Sequence, residues 1–126
     1  MCILMVEDEA LIVEIMAEAL TDAGYDVLTA SNGLEALALI QRCGHQFSAL
    51  VSDFHLPGGL TGLDVAAAIR NCRPGLPVVM ATGRPDALTA HWRGSSGYVL
   101  LPKPYGPTDM LSILLPLVAP VRAKRI

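Results

Sequence analysis

Basic residues are scarce in this chain: nine Lys and Arg stand against twelve Asp and Glu, for a net charge of -3. A module that binds nucleic acid carries a basic face, so direct nucleic-acid binding is not expected. The one basic cluster, Arg122, Lys124 and Arg125, lies at the C-terminal end. It reads as a solvated tail, residues 121–126, following a single domain over residues 1–120. Cysteine is also sparse. Cys2, Cys43 and Cys72 make an odd count with no CxxC pair, which excludes a disulfide framework and a zinc site. His45, His55 and His91 show no metal-ligand spacing to one another. Long hydrophobic runs are missing as well. The opening Met1-Cys2-Ile3-Leu4-Met5-Val6 turns acidic at Glu7, too soon for a signal peptide or a membrane span. Free thiols and the lack of a leader point to the cytoplasm, with no membrane partner. Repeats, low-complexity stretches and internal linkers are absent.

What is present is a core. Hydrophobic residues make up 52% of 126 residues, enough to fold without staples. Short apolar runs alternate with helical periods. Ile3 to Val6 reads as a strand, and Ala10 to Ala23 as a helix with apolar positions Leu11, Ile12, Ile15, Met16, Ala19 and Leu20. Gly24 stops that helix. Tyr25 to Ala30 is the second expected strand, and Asn32 with Glu35 a capping-box-like start for a helix over Leu34 to Cys43. Ser48 to Ser52 is the third strand, followed by a Gly- and Pro-rich loop. Thr61 and Asp64 are spaced to cap a helix over Leu63 to Cys72. Pro77 to Thr82 is the fourth strand, and a short helix is expected from Pro85 to about Trp92. Tyr98 to Leu101 is the fifth strand. Pro107 opens a last helix to about Val118, which Pro116 should kink or shorten. Five strands alternating with five helices imply a parallel, open, doubly wound α/β sheet. Strands apolar throughout fit a sheet covered on both faces.

In such sheets the site lies at the carboxyl ends of the strands. The first expected strand ends at Glu7-Asp8-Glu9, the third at Asp53, the fourth at Thr82-Gly83 and the fifth at Lys103-Pro104. Taken singly, each has an ordinary role. An acidic pair is often solvated, an Asp often forms a turn, a Thr often caps a helix, and a Lys usually sits on the surface. Their convergence at one sheet edge is what marks them. Glu7, Asp8 and Asp53 would repel one another without a counter-ion. Mg2+ suits them, because it takes oxygen ligands and favours a few carboxylates plus a phosphoryl oxygen. A carboxylate can attack phosphorus to give an aspartyl phosphate. Lys103 and the Thr82 hydroxyl are suited to the oxygens of the transferred group. Main-chain amides after Asp53 and Thr82 are further candidate donors.

The stretches VEDEAL at 6–11, LVSDFHLPGGLTGLDV at 50–65, VVMATG at 78–83 and LPKPY at 101–105, with NGLEAL at 32–37, together resemble a response-regulator receiver domain of two-component signalling. The resemblance spans essentially the whole chain and implies the flavodoxin-like (βα)5 receiver fold. It implies Asp53 as phosphoacceptor, and Glu7 and Asp8 as the acidic pair that holds Mg2+, Asp8 more directly. It implies the main-chain carbonyl of His55 as a further ligand, Thr82 as the hydroxyl that moves toward the phosphoryl group, and Lys103 as its ionic partner. A cis bond between Lys103 and Pro104 belongs to the same pattern. The implied partners are a sensor histidine kinase or histidine phosphotransfer protein, and a downstream protein target. The target would be met by the face of the fourth helix, fifth strand and fifth helix. A receiver of this kind catalyses only its own phosphoryl transfer and dephosphorylation, so it is not expected to be an enzyme in the usual sense.

Three features depart from the family pattern. Leu100 stands where the family usually has a switch aromatic, with Tyr98 two residues earlier on the same strand face. The loop Gly58-Gly59-Leu60-Thr61-Gly62 is about one residue longer than the common form. Gly83 follows the hydroxyl residue, a combination that resembles a divergent subset of single-domain receivers. With no aromatic gate at Leu100, the segment from Pro85 to Trp92 is expected to carry most of the response. Three other readings compete, and one of them, a degenerate receiver acting only as a binding scaffold, is disfavoured because all five pocket positions keep workable chemistry. An Asp-nucleophile phosphatase places its nucleophile in a DxD pattern after the first strand, whereas Asp53 is followed by Phe54 and His55. A nucleotide- or flavin-binding module wants a Gly-rich loop where this chain has Glu7-Asp8-Glu9. The opening MCILMVEDE favours a stand-alone receiver over a fragment of a larger hybrid kinase or regulator.

Overall fold

Apolar runs that can be buried on both faces become the middle of the sheet. The structure is a computed structural model and describes residues 1–83 and 98–118. Strands β1 (Cys2–Val6), β2 (Asp26–Ala30), β3 (Phe47–Asp53), β4 (Val78–Thr82) and β5 (Tyr98–Pro102) form one sheet in the order β2-β1-β3-β4-β5. Every pairing is parallel. Among the described residues there are four α-helices, α1 (Ala10–Asp22), α2 (Gly33–Cys43), α3 (Gly62–Cys72) and α4 (Pro107–Val118), and a 3-10 turn at Gly44–Gln46. The helix expected from Pro85 to Trp92, with His91, and the basic tail 121–126 lie outside the described residues.

Alternation along β1 and β4 divides the core in two. Leu4, Val6, Val78 and Met80 join Ala36, Ile40, Val65 and Ile69 under α2 and α3. Ile3, Met5, Val79 and Ala81 join Met16, Leu20, Met110 and Leu114 under α1 and α4. Both sets are at most 5% exposed, so the doubly wound expectation holds. Beside Cys2 and Ile3 the β1–β3 register skips a residue of β3, from Phe47 to Ala49, and this puts Phe47 and Leu50 in the same cluster.

Local chemistry explains most boundaries. Gly24, at φ +99°, closes α1: its N–H donates to Thr21 O (3.0 Å) and that of Tyr25 to Leu20 O (3.0 Å). Tyr25 is therefore buried in the helix stop, and β2 starts one residue after the expected position. Thr61 and Asp64 form the full reciprocal box at α3, with Thr61 N–H donating to Asp64 Oδ2 at 2.8 Å. The box at α2 is displaced. Asn32 Oδ1 accepts from Glu35 N–H (2.8 Å), but the Glu35 carboxylate reaches past Asn32 to the N–H and hydroxyl of Ser31 (2.7 and 2.9 Å). Helix α4 runs to Val118, as expected, with Pro116 inside it. A proline this near the end of the described helix removes one ladder bond, the one Ser112 C=O would have accepted.

Candidate functional site

Parallel strands deliver their carboxyl ends to one edge, and the order β2-β1-β3 sets the ends of β1 and β3 side by side. Val6 pairs with Ser52, so Glu7 and Asp53 follow at the same level. Glu7 and Asp53 are buried, at 2% and 3% exposure, and Asp8 is exposed. One carboxylate oxygen from each of Glu7, Asp8 and Asp53 lies within 4.8 Å of the other two. This is the one group of three potential metal ligands among the described residues. The three cysteines are free and half-buried, as expected.

Lys103 closes the group from β5. Its Nζ lies 2.7 Å from Asp53 Oδ1, and that oxygen has no other hydrogen-bond donor among the described residues. Burial alone would lower the Lys103 ammonium; Asp53 and then Glu7 outweigh it and hold the group above its usual value. Thr82 is buried at the end of β4, and its carbonyl accepts from Lys103 N–H at 2.8 Å. The Lys103–Pro104 bond is cis. All four expected strand ends thus meet at one place. His55 lies in the loop beyond Asp53, its ring exposed and edge-on to Phe54 at 4.7 Å.

One reading needs correction. The first main-chain amide after Asp53 is not an open donor: Phe54 N–H bonds Ala81 O at 2.9 Å and continues the β3–β4 ladder. Tyr98 does not lie at the level of Thr82. It shares the face of Leu100 but sits at the amino end of β5, paired with Val78, whereas Thr82 pairs with Pro102. Four residues of strand separate those levels, about 13 Å at ~3.3 Å per residue. The Arg70 guanidinium also stacks 4.6 Å over the Tyr98 ring while its Nε and Nη2 donate to Leu76 O (3.0 and 2.8 Å), tying Tyr98 to α3.

Sequence reasoning gave no role to two residues here. Tyr105 packs against the α1–α4 core, and burial, then the negative charges of Glu7 and Asp53, push its phenol up, so it stays a proton donor. Gly62 opens α3 directly against Asp53. A Cβ there would collide with the Asp53 carbonyl oxygen and meet Met80 Sδ.

The charge balance leaves Glu7 strained. Its Oε2 accepts from Glu9 N–H at 3.1 Å, but Oε1 is buried without a donor among the described residues. Burial, then the facing Asp53, pushes its carboxyl from 4.5 up to about 7. A carboxyl raised on folding favours the folded state when protonated. That contribution is complete below about 4.5 and is lost as pH rises through about 7. In chelator, the protein is expected to lose stability over this interval, by at most about 3 kcal/mol, and Glu7→Gln to flatten the slope. Urea unfolding at several pH values checks this; equal slopes in parent and variant would remove Glu7 as the cause. The unsatisfied oxygen and the clustered carboxylates are what a hard divalent cation would satisfy, so the donor set fits Mg2+.

Comparison with known proteins agrees with this geometry. The family model for the response regulator receiver domain matches residues 3–115. The chain belongs to the response-regulator receiver domain family. It is 36% identical over 114 residues to the transcriptional regulatory protein TcrA of Mycobacterium tuberculosis, covering 89% of this chain and 44% of that protein. It thus spans less than half of that relative's length. Among solved structures, the receiver domain of the hybrid histidine kinase CckA matches with a TM-score of 0.79 at 27% identity, covering 94% of this chain and 99% of that one. A response regulator receiver protein from Sinorhizobium medicae matches with a TM-score of 0.84 at 26% identity, covering 94% of each chain. Among the described residues no helix is long and apolar enough to cross a membrane.

Proposed function

We propose that this receiver domain takes a phosphoryl group onto Asp53 from the phosphohistidine of a sensor histidine kinase or a histidine phosphotransfer protein, and signals through altered protein binding. The observation that carries the reading is the 2.7 Å ion pair between Lys103 and a buried Asp53 inside a triad of carboxylates. In the transfer, an Asp53 carboxylate oxygen forms a bond to phosphorus as the phosphorus–nitrogen bond of the donor histidine breaks. Lys103 passes from Asp53 to a phosphoryl oxygen, where its positive charge is still balanced. The Thr82 hydroxyl donates to a second oxygen, and its movement draws on the main chain that joins Thr82 O to Lys103 N–H. Asp8, Asp53 and the His55 carbonyl, with Glu7, would hold Mg2+, which when bound would supply positive charge for the phosphoryl oxygens.

The domain is an acceptor and not an enzyme acting on other substrates: the chemistry it supports is its own phosphorylation and dephosphorylation. We place it in the cytoplasm, where phosphohistidine donors occur. Its downstream target would be a protein that meets β5 and α4 together with the segment between β4 and β5. Direct binding to nucleic acid is not part of the reading, because the chain carries a net charge of -3.

Asp8→Ala is expected to weaken Mg2+ binding by at least tenfold, since Asp8 is the exposed carboxylate of the triad. Calorimetric titration with MgCl2 measures it. Binding as tight as the parent's would mean that the cation sits elsewhere. Phosphoryl uptake from a small-molecule donor, followed by intact mass, tests the function itself.

A further inference from the structure

Ala49, Leu50 and Val51 lead β3 toward Asp53 as a buried apolar run, and Ser52 interrupts it. A hydroxyl taken out of water costs free energy unless it finds a partner. Glu7, Ser52, Asp53 and Thr82 are the buried polar or charged side chains among the described residues. The site accounts for Glu7, Asp53 and Thr82 and leaves Ser52, 1% exposed, without a role.

Strand alternation turns Ser52 to the face of Leu50, under α2 and α3, and Asp53 to the other face. The link between them is the main chain. The Ser52 hydroxyl donates to the Asp53 carbonyl oxygen at 2.8 Å. That carbonyl belongs to the peptide between Asp53 and Phe54, whose N–H donates to Ala81 O at 2.9 Å. Both polar ends of this peptide are therefore engaged, one by the side chain before Asp53 and one by β4. Gly62 packs on the same carbonyl so closely that a Cβ would collide with it. A peptide plane held at both ends fixes the backbone at Asp53, and with it the direction of the Asp53 side chain relative to β4. An apolar residue at position 52 could fill the same space but could not donate to the carbonyl.

We propose that Ser52 is a positioning residue for phosphoryl transfer. By holding the Asp53–Phe54 peptide from the opposite sheet face, its hydroxyl keeps the Asp53 carboxylate in line with Lys103. The inference rests on Asp53 as the phosphoacceptor.

The test compares the whole parent chain with Ser52→Ala, Ser52→Cys and Ser52→Thr. Acetyl phosphate is the donor, in saturating Mg2+; an Asp53 oxygen bonds phosphorus as acetate leaves, and intact mass follows uptake across donor concentrations. Ala removes the hydroxyl, Cys leaves a weak donor, and Thr keeps the hydroxyl. Ser52→Ala and Ser52→Cys are expected to lower the limiting rate about fivefold to tenfold, with the half-saturating donor concentration changed by less than about twofold. Ser52→Thr is expected to recover most of the loss. Hydrogen exchange at the Phe54 amide, measured without donor or Mg2+, is expected to quicken in Ser52→Ala by more than exchange at the Leu50 amide, which bonds Pro77 O further down the same strand. A limiting rate in Ser52→Ala equal to the parent's would overturn the proposal. So would slow uptake in Ser52→Ala with Phe54 and Leu50 exchange changed alike, because the hydroxyl would then support the fold without positioning Asp53. If Ser52→Thr does not fold, these two measurements on Ser52→Ala decide. A parent that takes up no phosphoryl group removes Asp53 as acceptor and the proposal with it, whereas uptake by the parent with Ser52→Ala unimpaired removes the role of Ser52 alone.

Discussion

Asp53→Ala is expected to take up no phosphoryl group from a small-molecule donor in Mg2+ under conditions where the parent is converted, a loss of at least about 100-fold. The expectation follows from geometry. Asp53 is the triad member whose oxygen faces a cation at 2.7 Å, and its main chain is fixed on both sides by the β3–β4 ladder, in which Phe54 N–H bonds Ala81 O. Glu7 is held by Glu9 N–H and has its carboxyl pushed up to about 7, which makes it a poor nucleophile in the metal-free pocket. Asp8 is exposed, so its side chain is less constrained than that of Asp53. The variant is expected to fold, because removing Asp53 also relieves the charge facing Glu7, while the partly exposed Lys103 can turn to solvent. Intact-mass measurement decides the matter. Uptake by Asp53→Ala at the parent's rate would move the acceptor to another carboxylate and sink the assignment.

Sequence carried the site because each of its residues ends a strand, and strand ends are set by apolar runs that stop. Val6 to Glu7, Ser52 to Asp53 and Thr82 to Gly83 are such stops, and a parallel sheet leaves them one place to meet. The Gly24 stop and the Thr61–Asp64 box were legible for a related reason: both are local, made within one turn of chain. What sequence did not show is long-range. The use of the Phe54 amide depends on Ala81 across the ladder, and the pinning of Tyr98 depends on Arg70 in α3. Tyr25 was misplaced because an aromatic before an apolar run looks like strand, and only the 3.0 Å bond from its N–H to Leu20 O shows that it completes a helix stop.

Gly62 was the least visible of all, since a Gly among Gly58, Gly59 and Gly62 reads as one flexible loop. The three differ in physical cause. Gly58 and Gly59 both have φ +93° with open space where a side chain would go, so their need is conformational. Gly62 is absent from the positive-φ positions, and its need is room: a Cβ would run into the Asp53 carbonyl oxygen, with Met80 Sδ at 2.5 Å behind it. Its N–H donates to Phe54 O at 2.8 Å, which fixes the helix start against the strand end. Met80 is a flexible side chain and can yield, but the Asp53 carbonyl belongs to the middle of the sheet. Gly62→Ala is therefore expected to cost about 3 kcal/mol, the upper end for overpacking, and to slow phosphoryl uptake by displacing Asp53 from Lys103. Gly58→Ala, which meets only left-handed backbone strain, is expected to cost about 1–2 kcal/mol with uptake close to the parent's. Urea unfolding and the intact-mass assay on the two variants separate the effects. If Gly62→Ala unfolds at the parent's midpoint, the close packing of α3 on the phosphoacceptor strand is wrong. If it is destabilised yet takes up phosphoryl at the parent's rate, the contact supports the fold without positioning Asp53.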